Sequence, residues 1–138
     1  MTRARPEHLD WARRVLAYEV ASDPSAEITE AAGRVYDTLH AHLDPLLGAA
    51  GVQALLVRSA RLAGRELFSL EAATIEGSAK LRECLRELEP SVASAAAAAL
   101  FGNFFALITT FIGERLTTQL LRNAWPTIEQ MSPMEKRK

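Results

Sequence analysis

The sequence predicts an all-α fold: a single compact bundle of about five helices around a long apolar central C-terminal helix. Three observations lead to this fold class. Ala and Leu are the commonest members of the apolar 49% of the chain, whereas Val and Ile, which favour strands, are sparse. Gly and Pro lie mostly between stretches of helical periodicity. The 138 residues suit one domain and can bury a core without a metal or a disulfide.

The first half of the chain predicts three helices. Residues 1–5 are expected to form a flexible basic arm, and Pro6 suits the first turn of a helix that reaches about residue 20. A break at residues 22–25 precedes a second helix, in which apolar residues recur from Ile28 onward. Pro45 is expected to end or kink this helix. Gly48 and Gly51 are expected to bracket a short turn before a third helix over residues 52–65.

The second half predicts two further helices. Residues 66–77 fit a loop or a short helix equally well, and residues 79–88 fit a fourth helix. A fifth helix from Pro90 to Asn123 would span roughly 50 Å at about 1.5 Å per residue, which exceeds the diameter of a small domain. We therefore expect a break near Gly102 or Gly113. The predicted bundle domain covers residues 6–126, and residues 127–138 are expected to be a flexible tail.

The fifth helix contains 24 consecutive uncharged residues, Pro90 to Gly113, in a chain that is 24% charged. This length qualifies as a membrane-span candidate. However, its first half is Ser and Ala, and its strongly apolar part, from Leu100 to Ile112, has only thirteen residues. Apolar runs of 10–14 residues are more typical of buried core helices. We therefore predict a central core helix. The alternative is a helix that is buried in solution and can be released into a membrane.

Small and polar residues within this run recur at helical spacing and predict a core-helix packing stripe, along which a neighbouring backbone can approach closely. The stripe consists of Gly102, Asn103, Ala106, Thr110 and Gly113. A bundle wrapped around such a helix is similar in architecture only to Bcl-2-like and colicin-type proteins. The core helix of Bcl-2-like proteins opens with Asn-Trp-Gly-Arg, whereas residues 102–105 read Gly-Asn-Phe-Phe, without the Trp or the Arg. The resemblance therefore implies an architecture and no residue roles.

The sequence contains no motif that names a reaction. It has no glycine-rich phosphate loop, no HExxH, no CxxC and no nucleophile elbow. Asp37, His40 and Asp44 share one helix face, and with a fourth ligand they could hold a metal or relay a proton. The same spacing is typical of the solvated side of an amphipathic helix. We predict no catalytic, cofactor-binding or metal-binding residues.

One basic stripe is a candidate partner-binding surface. Arg58, Arg61 and Arg65 follow helical spacing and could meet phosphate or an acidic partner, although such stripes are also typical of a solvated face. The formal net charge of −1 and the absence of interleaved aromatic residues argue against nucleic acid as the partner. Cys84 lies near the inward side of the fourth helix and is predicted to be a buried, inert thiol.

These observations predict a non-enzymatic helical bundle that acts by protein–protein interaction, either as a regulatory or adaptor module or as a homo-oligomer. The alternative is a membrane-active bundle with a releasable apolar core helix. A single cysteine and an N-terminus without an apolar run predict a reducing, cytoplasmic compartment. Thirteen Arg against three Lys, with abundant Ala, suggest a GC-rich bacterial genome.

Overall fold

The protein is a bundle of helices in a computed structural model that describes residues 6–22, 27–63 and 74–126. Six helices are present in these ranges, and residues 74–76 form an additional helical turn. The helices are α1 Pro6–Ser22, α2 Ile28–Leu47, α3 Ala49–Ala63, α4 Ser78–Arg86, α5 Pro90–Ile112 and α6 Glu114–Ala124. The predicted arm at residues 1–5 and the predicted tail at residues 127–138 lie outside the described residues.

Helix α5 is the centre of the bundle and packs against each of the other five helices. Its large side chains from Leu100 to Ile108 are almost completely buried; Leu100, Phe101 and Phe104 have no exposed surface at all. A helix that is apolar on every side is stable in water only if neighbours surround it. The all-α fold and the central position of the apolar helix are therefore confirmed.

The alanine-rich first half of α5 lets neighbouring helices approach closely. Ala93, Ala96 and Ala97 are buried, whereas Ser94 and Ala95 on the outer side are exposed. Because an alanine side chain ends at Cβ, a neighbouring helix can lie against this half without a layer of large side chains between the backbones. Small residues thus set the spacing at one end of α5, and phenylalanines fill the core at the other.

Two glycines each form a one-residue connection between helices. A single residue, Gly48, separates α2 from α3, and a single residue, Gly113, separates α5 from α6. Both have positive φ angles, 83° and 94°, which residues with a Cβ rarely adopt. The amide of Gly48 donates to the carbonyl of Asp44, and that of Gly113 to the carbonyl of Thr109, each at 2.8 Å. The expected break in the long helix therefore occurs at Gly113, and Gly102 lies within α5.

Two helix boundaries differ from the sequence-based expectation. Helix α2 continues through Pro45 to Leu47, because Pro45 stands close enough to the C-terminal end that the one missing N–H interrupts little of the helix. Gly51 lies inside α3, which begins at Ala49 rather than at residue 52, because Gly48 alone makes the turn.

Polar contacts fasten the outer helices to one another. Trp125, after α6, is 1% exposed, and its Nε1 donates to Glu19 Oε2 of α1 at 2.9 Å. On the opposite side, Arg82 of α4 reaches Glu30 of α2, with 3.1 Å between Nε and Oε1. The Arg82 guanidinium lies over Gly33, where an added Cβ would overlap its Cζ. A glycine in α2 thus makes room for the ion pair between α2 and α4.

The central helix provides a test of the fold. We expect Phe104→Ala to lower the free energy of unfolding by about 3–5 kcal/mol, because it removes a fully buried ring and leaves a cavity. Val92→Ala is the matched control in the same helix; Val92 is 44% exposed, so the change should stay within about 0.5 kcal/mol. Urea unfolding followed by circular dichroism measures both. Equal losses for the two variants would contradict the central position of α5.

Candidate functional sites: a groove, a polar cluster and an apolar end

An open groove of about 640 Å³ runs between α1 and the first half of α5. Its buried floor includes Leu16 and Ala98, which are 4% and 6% exposed. The remaining lining residues are mostly aliphatic or small, and they are Leu9, Arg13, Ala17, Val20, Ala21, Ile28, Ser91, Ser94, Ala95 and Ala99. The groove arises because the small side chains of α5 face α1 here, so the space between the two helices is only partly filled.

Of the described residues that line this groove, Arg13 alone is charged. Its side chain is exposed and forms no ion pair or hydrogen bond with the described residues. The sequence of α1 explains why Arg13 has no partner on its own helix. An acidic partner one turn earlier, Asp10, is bound to Arg14 at 2.8 Å instead. The other positions within one turn of Arg13 are the apolar residues Leu9, Leu16 and Ala17.

A polar cluster ties α2, α3 and the helical turn at residues 74–76 together. The Tyr36 hydroxyl lies 2.8 Å from Gln53 Oε1 and 2.9 Å from the carbonyl oxygen of Thr74. The Gln53 side-chain amide also donates to the Thr74 carbonyl. His40 bridges the same group, with Nδ1 2.8 Å from Asp44 Oδ1 and Nε2 3.2 Å from Gln53 Oε1. Because a carbonyl only accepts, Thr74 fixes the orientation of the Gln53 amide.

The environment of Tyr36 shifts its titration. Burial raises the pKa of the Tyr36 phenol above 10.0, the hydrogen bond with Gln53 opposes this, and the carboxylates of Asp37 and Asp44 raise the pKa further. The phenol is therefore held as a neutral hydrogen-bond donor. In this state it stabilises the contact between α2 and the turn at residues 74–76.

The structure divides the three polar residues that the sequence groups on one face of α2. His40 and Asp44 bond to each other, whereas Asp37 faces Arg82 of α4, with 3.7 Å between Oδ2 and Nη2. Within residues 6–22, 27–63 and 74–126, no group of three His, Cys, Asp or Glu side chains is placed to hold a metal ion. The Nε2 atom of His40 faces an amide oxygen, which has no proton to exchange. The geometry of the cluster is that of a structural fastening between helices.

One end of the bundle exposes large apolar side chains. Leu43, Ile108 and Thr117 line one small cavity, so the ends of α2 and α5 and the start of α6 lie at the same end of the molecule. Leu46 and Phe111 each follow one of these residues by three positions, and Leu116 directly precedes Thr117. Their side chains are 65%, 67% and 51% exposed. We call these three residues the apolar end.

The residues predicted from the sequence take different positions. Arg58 and Arg61 are exposed on α3, and Arg65 lies outside the described residues, so a role in partner binding stays a prediction. In the packing stripe, Gly102, Asn103 and Ala106 are buried, whereas Thr110 and Gly113 are exposed. The stripe therefore faces the core only as far as Ala106.

Asn103 places a polar side-chain amide inside the apolar core. Its Nδ2 donates to the carbonyl of Ala99 at 2.8 Å, and its buried Oδ1 accepts no hydrogen bond from the described residues. A buried acceptor without a donor costs about 1–3 kcal/mol.

Cys84 is partly buried, and burial raises the pKa of its thiol, with Lys80 opposing the shift. The thiolate that a nucleophile needs is therefore disfavoured at Cys84.

By length and composition alone, α5 is also long and apolar enough to cross a membrane. It is the one such helix in the part of the chain that the structure describes, and two-thirds of its apolar window is buried inside the bundle. This burial is what a core helix of a soluble protein also shows.

No protein-family model matches the chain, and comparison with curated proteins and with solved structures gives no match. The class of protein is thus defined by the fold alone: an all-α bundle around a central apolar helix. The sequence-based reasoning passed over Gln53, Arg13 and the apolar end. The available signal for the polar cluster was the spacing of Tyr36, His40 and Asp44 at i, i+4 and i+8 on one face of α2.

The polar cluster makes a pH-dependent prediction. At neutral pH we expect Tyr36→Phe to lower the free energy of unfolding by about 1–2 kcal/mol, because Gln53 and Thr74 lose a buried donor. The folded-state pKa of Tyr36 is raised, so its contribution is complete below pH 10.0 and is lost as the pH rises toward the folded-state pKa. The stability difference between wild type and variant should therefore shrink above pH 10.

Urea unfolding at a series of pH values from 7 to 11 measures this difference. Tyr18→Phe is the control, since Tyr18 lies on α1 and outside the cluster. A difference between wild type and Tyr36→Phe that stays constant up to pH 11 would contradict the assigned environment of the phenol.

Proposed function

We propose that this protein is a non-enzymatic helical-bundle module that acts by protein–protein contact, and that the apolar end is its contact surface. The observation that carries the proposal is the exposure of Leu46, Phe111 and Leu116 at one end of the bundle. Exposed single apolar residues are common, but a cluster at one place is typical of an interaction surface.

The energetics support contact with another protein. Complete burial of a Leu or Phe side chain stabilises an interface by about 1.5–3 kcal/mol relative to exposure. The first partner that we propose for this surface is a second copy of the chain, so that the protein is a homo-oligomer. An adaptor or regulatory role would use the same surface to bind a different protein.

Sedimentation velocity tests the proposal. The wild-type protein should show a mass above the 15.1 kDa of one chain, rising with concentration, and the double variant Phe111→Ser/Leu116→Ser should stay monomeric. Both residues are more than half exposed, so the variant should retain its helical content and its free energy of unfolding as a monomer.

Ile75→Ser is the matched control, because Ile75 is 59% exposed but does not belong to the apolar end. It should associate as the wild type does. A wild-type protein that is monomeric at every concentration contradicts self-association. A photo-crosslinking residue at position 111 then tests the adaptor role in cells, with the same residue at position 75 as the negative control. If position 111 forms no protein adduct, like position 75, the apolar end is rejected as a contact surface.

A second candidate function is membrane activity. It is favoured by one observation: the only described helix that could span a membrane, α5, carries the exposed Phe111 in its last turn. In this case the apolar end enters a bilayer first, and α5 follows when the outer helices separate. Membrane activity differs from protein–protein contact in the expected binding partner, which is a lipid surface rather than a protein.

Dye-filled vesicles separate the two functions. Membrane activity predicts dye leakage at neutral or acidic pH and its loss in Phe111→Asp, which places a charge at the leading tip without changing the core. The corresponding change at the control position, Ile75→Asp, should preserve leakage. Absence of both vesicle binding and leakage for the wild type would reject membrane activity.

A further inference from the structure

We propose that the groove between α1 and α5 is a binding site for a small amphiphilic acid, a medium- or long-chain carboxylate whose head group pairs with Arg13. The site is separate from the apolar end: its most C-terminal lining residue in α5, Ala99, precedes Phe111 by twelve residues, which is about 18 Å along the helix. The proposal therefore does not depend on the protein–protein contact proposed above.

The size and lining of the groove fit a small apolar ligand. A volume of about 640 Å³ lies within the 300–1,000 Å³ typical of ligand sites, which are mostly apolar with a few polar groups. The apolar lining is continuous, because Leu16, Val20 and Ile28 follow one another along the α1–α2 side. The opposite wall consists of alanines and serines, whose short side chains leave the space open.

Charge complementarity selects an acidic head group. Arg13 is an exposed guanidinium beside apolar surface that pairs with none of the residues described in the structure, and Asp10, one turn earlier on α1, is bound to Arg14. A carboxylate is the group that a guanidinium binds best, through two parallel hydrogen bonds. Among the lining residues that the structure describes, none is a carboxylate that would compete with a bound acid.

The length of the groove sets the length of the chain. From Arg13 to Ala21 is eight residues along α1, about 12 Å at 1.5 Å per residue. Carbon–carbon bonds of about 1.5 Å at tetrahedral angles make a chain of roughly ten carbons span this distance. Dodecanoate therefore places its carboxylate at Arg13 and its apolar chain along Leu16, Val20 and Ile28.

Isothermal titration calorimetry with dodecanoate, below the concentration at which it forms micelles, tests the site. The wild type should bind one molecule per chain and should bind octanoate about tenfold more weakly or worse, because each buried methylene contributes up to about fourfold in affinity. Dodecyltrimethylammonium, with the same chain and the opposite charge, should also bind about tenfold more weakly than dodecanoate.

Two variants make the test specific. Arg13→Glu should reverse the preference between dodecanoate and dodecyltrimethylammonium, and Ala95→Phe, a change at an exposed position of the wall, should weaken both by filling the groove. The matched controls are Arg58→Glu, which makes the same charge change on α3, and Ala79→Phe on the exposed side of α4. Both controls should bind as the wild type does, and circular dichroism should show that all four variants fold.

The results that overturn the proposal are equally defined. Binding without a saturable one-to-one stoichiometry, equal affinity for the two head groups, or an unchanged preference in Arg13→Glu would each reject it. Binding of an amphipathic helical peptide with no binding of dodecanoate would assign the groove to a protein partner instead. The self-association of the apolar end is measured on separate variants, so its failure and the failure of this proposal are distinguishable.

Discussion

The burial of one uncharged helix is the constraint on which the rest of this structure depends. Helix α5 has 23 residues without a charge, so it has no side that water can favourably cover. Surrounding it takes all five of the other helices that the structure describes. The amphipathic pattern of those helices follows from this arrangement, since each needs only one apolar face toward α5 and can direct its charges outward.

The two halves of α5 have different neighbours because their side chains differ in size. Where the alanines of α5 face α1, the short side chains leave the surface groove beside Arg13. Where phenylalanines and Ile108 fill the core, the packing is closed and the surrounding side chains are buried. The same helix therefore creates an open site at one end and a solid core at the other. Its last turn then leaves the core and exposes Phe111.

The fold could be predicted well from the sequence, and the candidate sites could be predicted only poorly. Composition and periodicity are enough to predict an all-α bundle and its central helix, because burial of apolar faces is a property of each segment by itself. The break at Gly113 was one of two expected positions, and local sequence could not choose between Gly102 and Gly113. The choice depends on space: Gly102 is enclosed by neighbouring helices, whereas Gly113 lies where the chain can leave the core and turn. The division of Asp37 from His40 and Asp44 was likewise beyond the sequence, because Arg82 reaches Asp37 from a different helix.

By itself, then, the sequence determined which segments are helical, which of them must be central and which chemical motifs are missing. Only the tertiary structure decided where polar and apolar groups from distant segments meet. It joined Tyr36, Gln53 and Thr74 in one cluster, placed Arg13 beside an apolar groove with no partner among the described residues, and placed Leu46, Phe111 and Leu116 at one end. The physical reason is that helix formation and amphipathicity are local properties of the chain. The surfaces through which this protein can act are formed only by the packing of one helix against another.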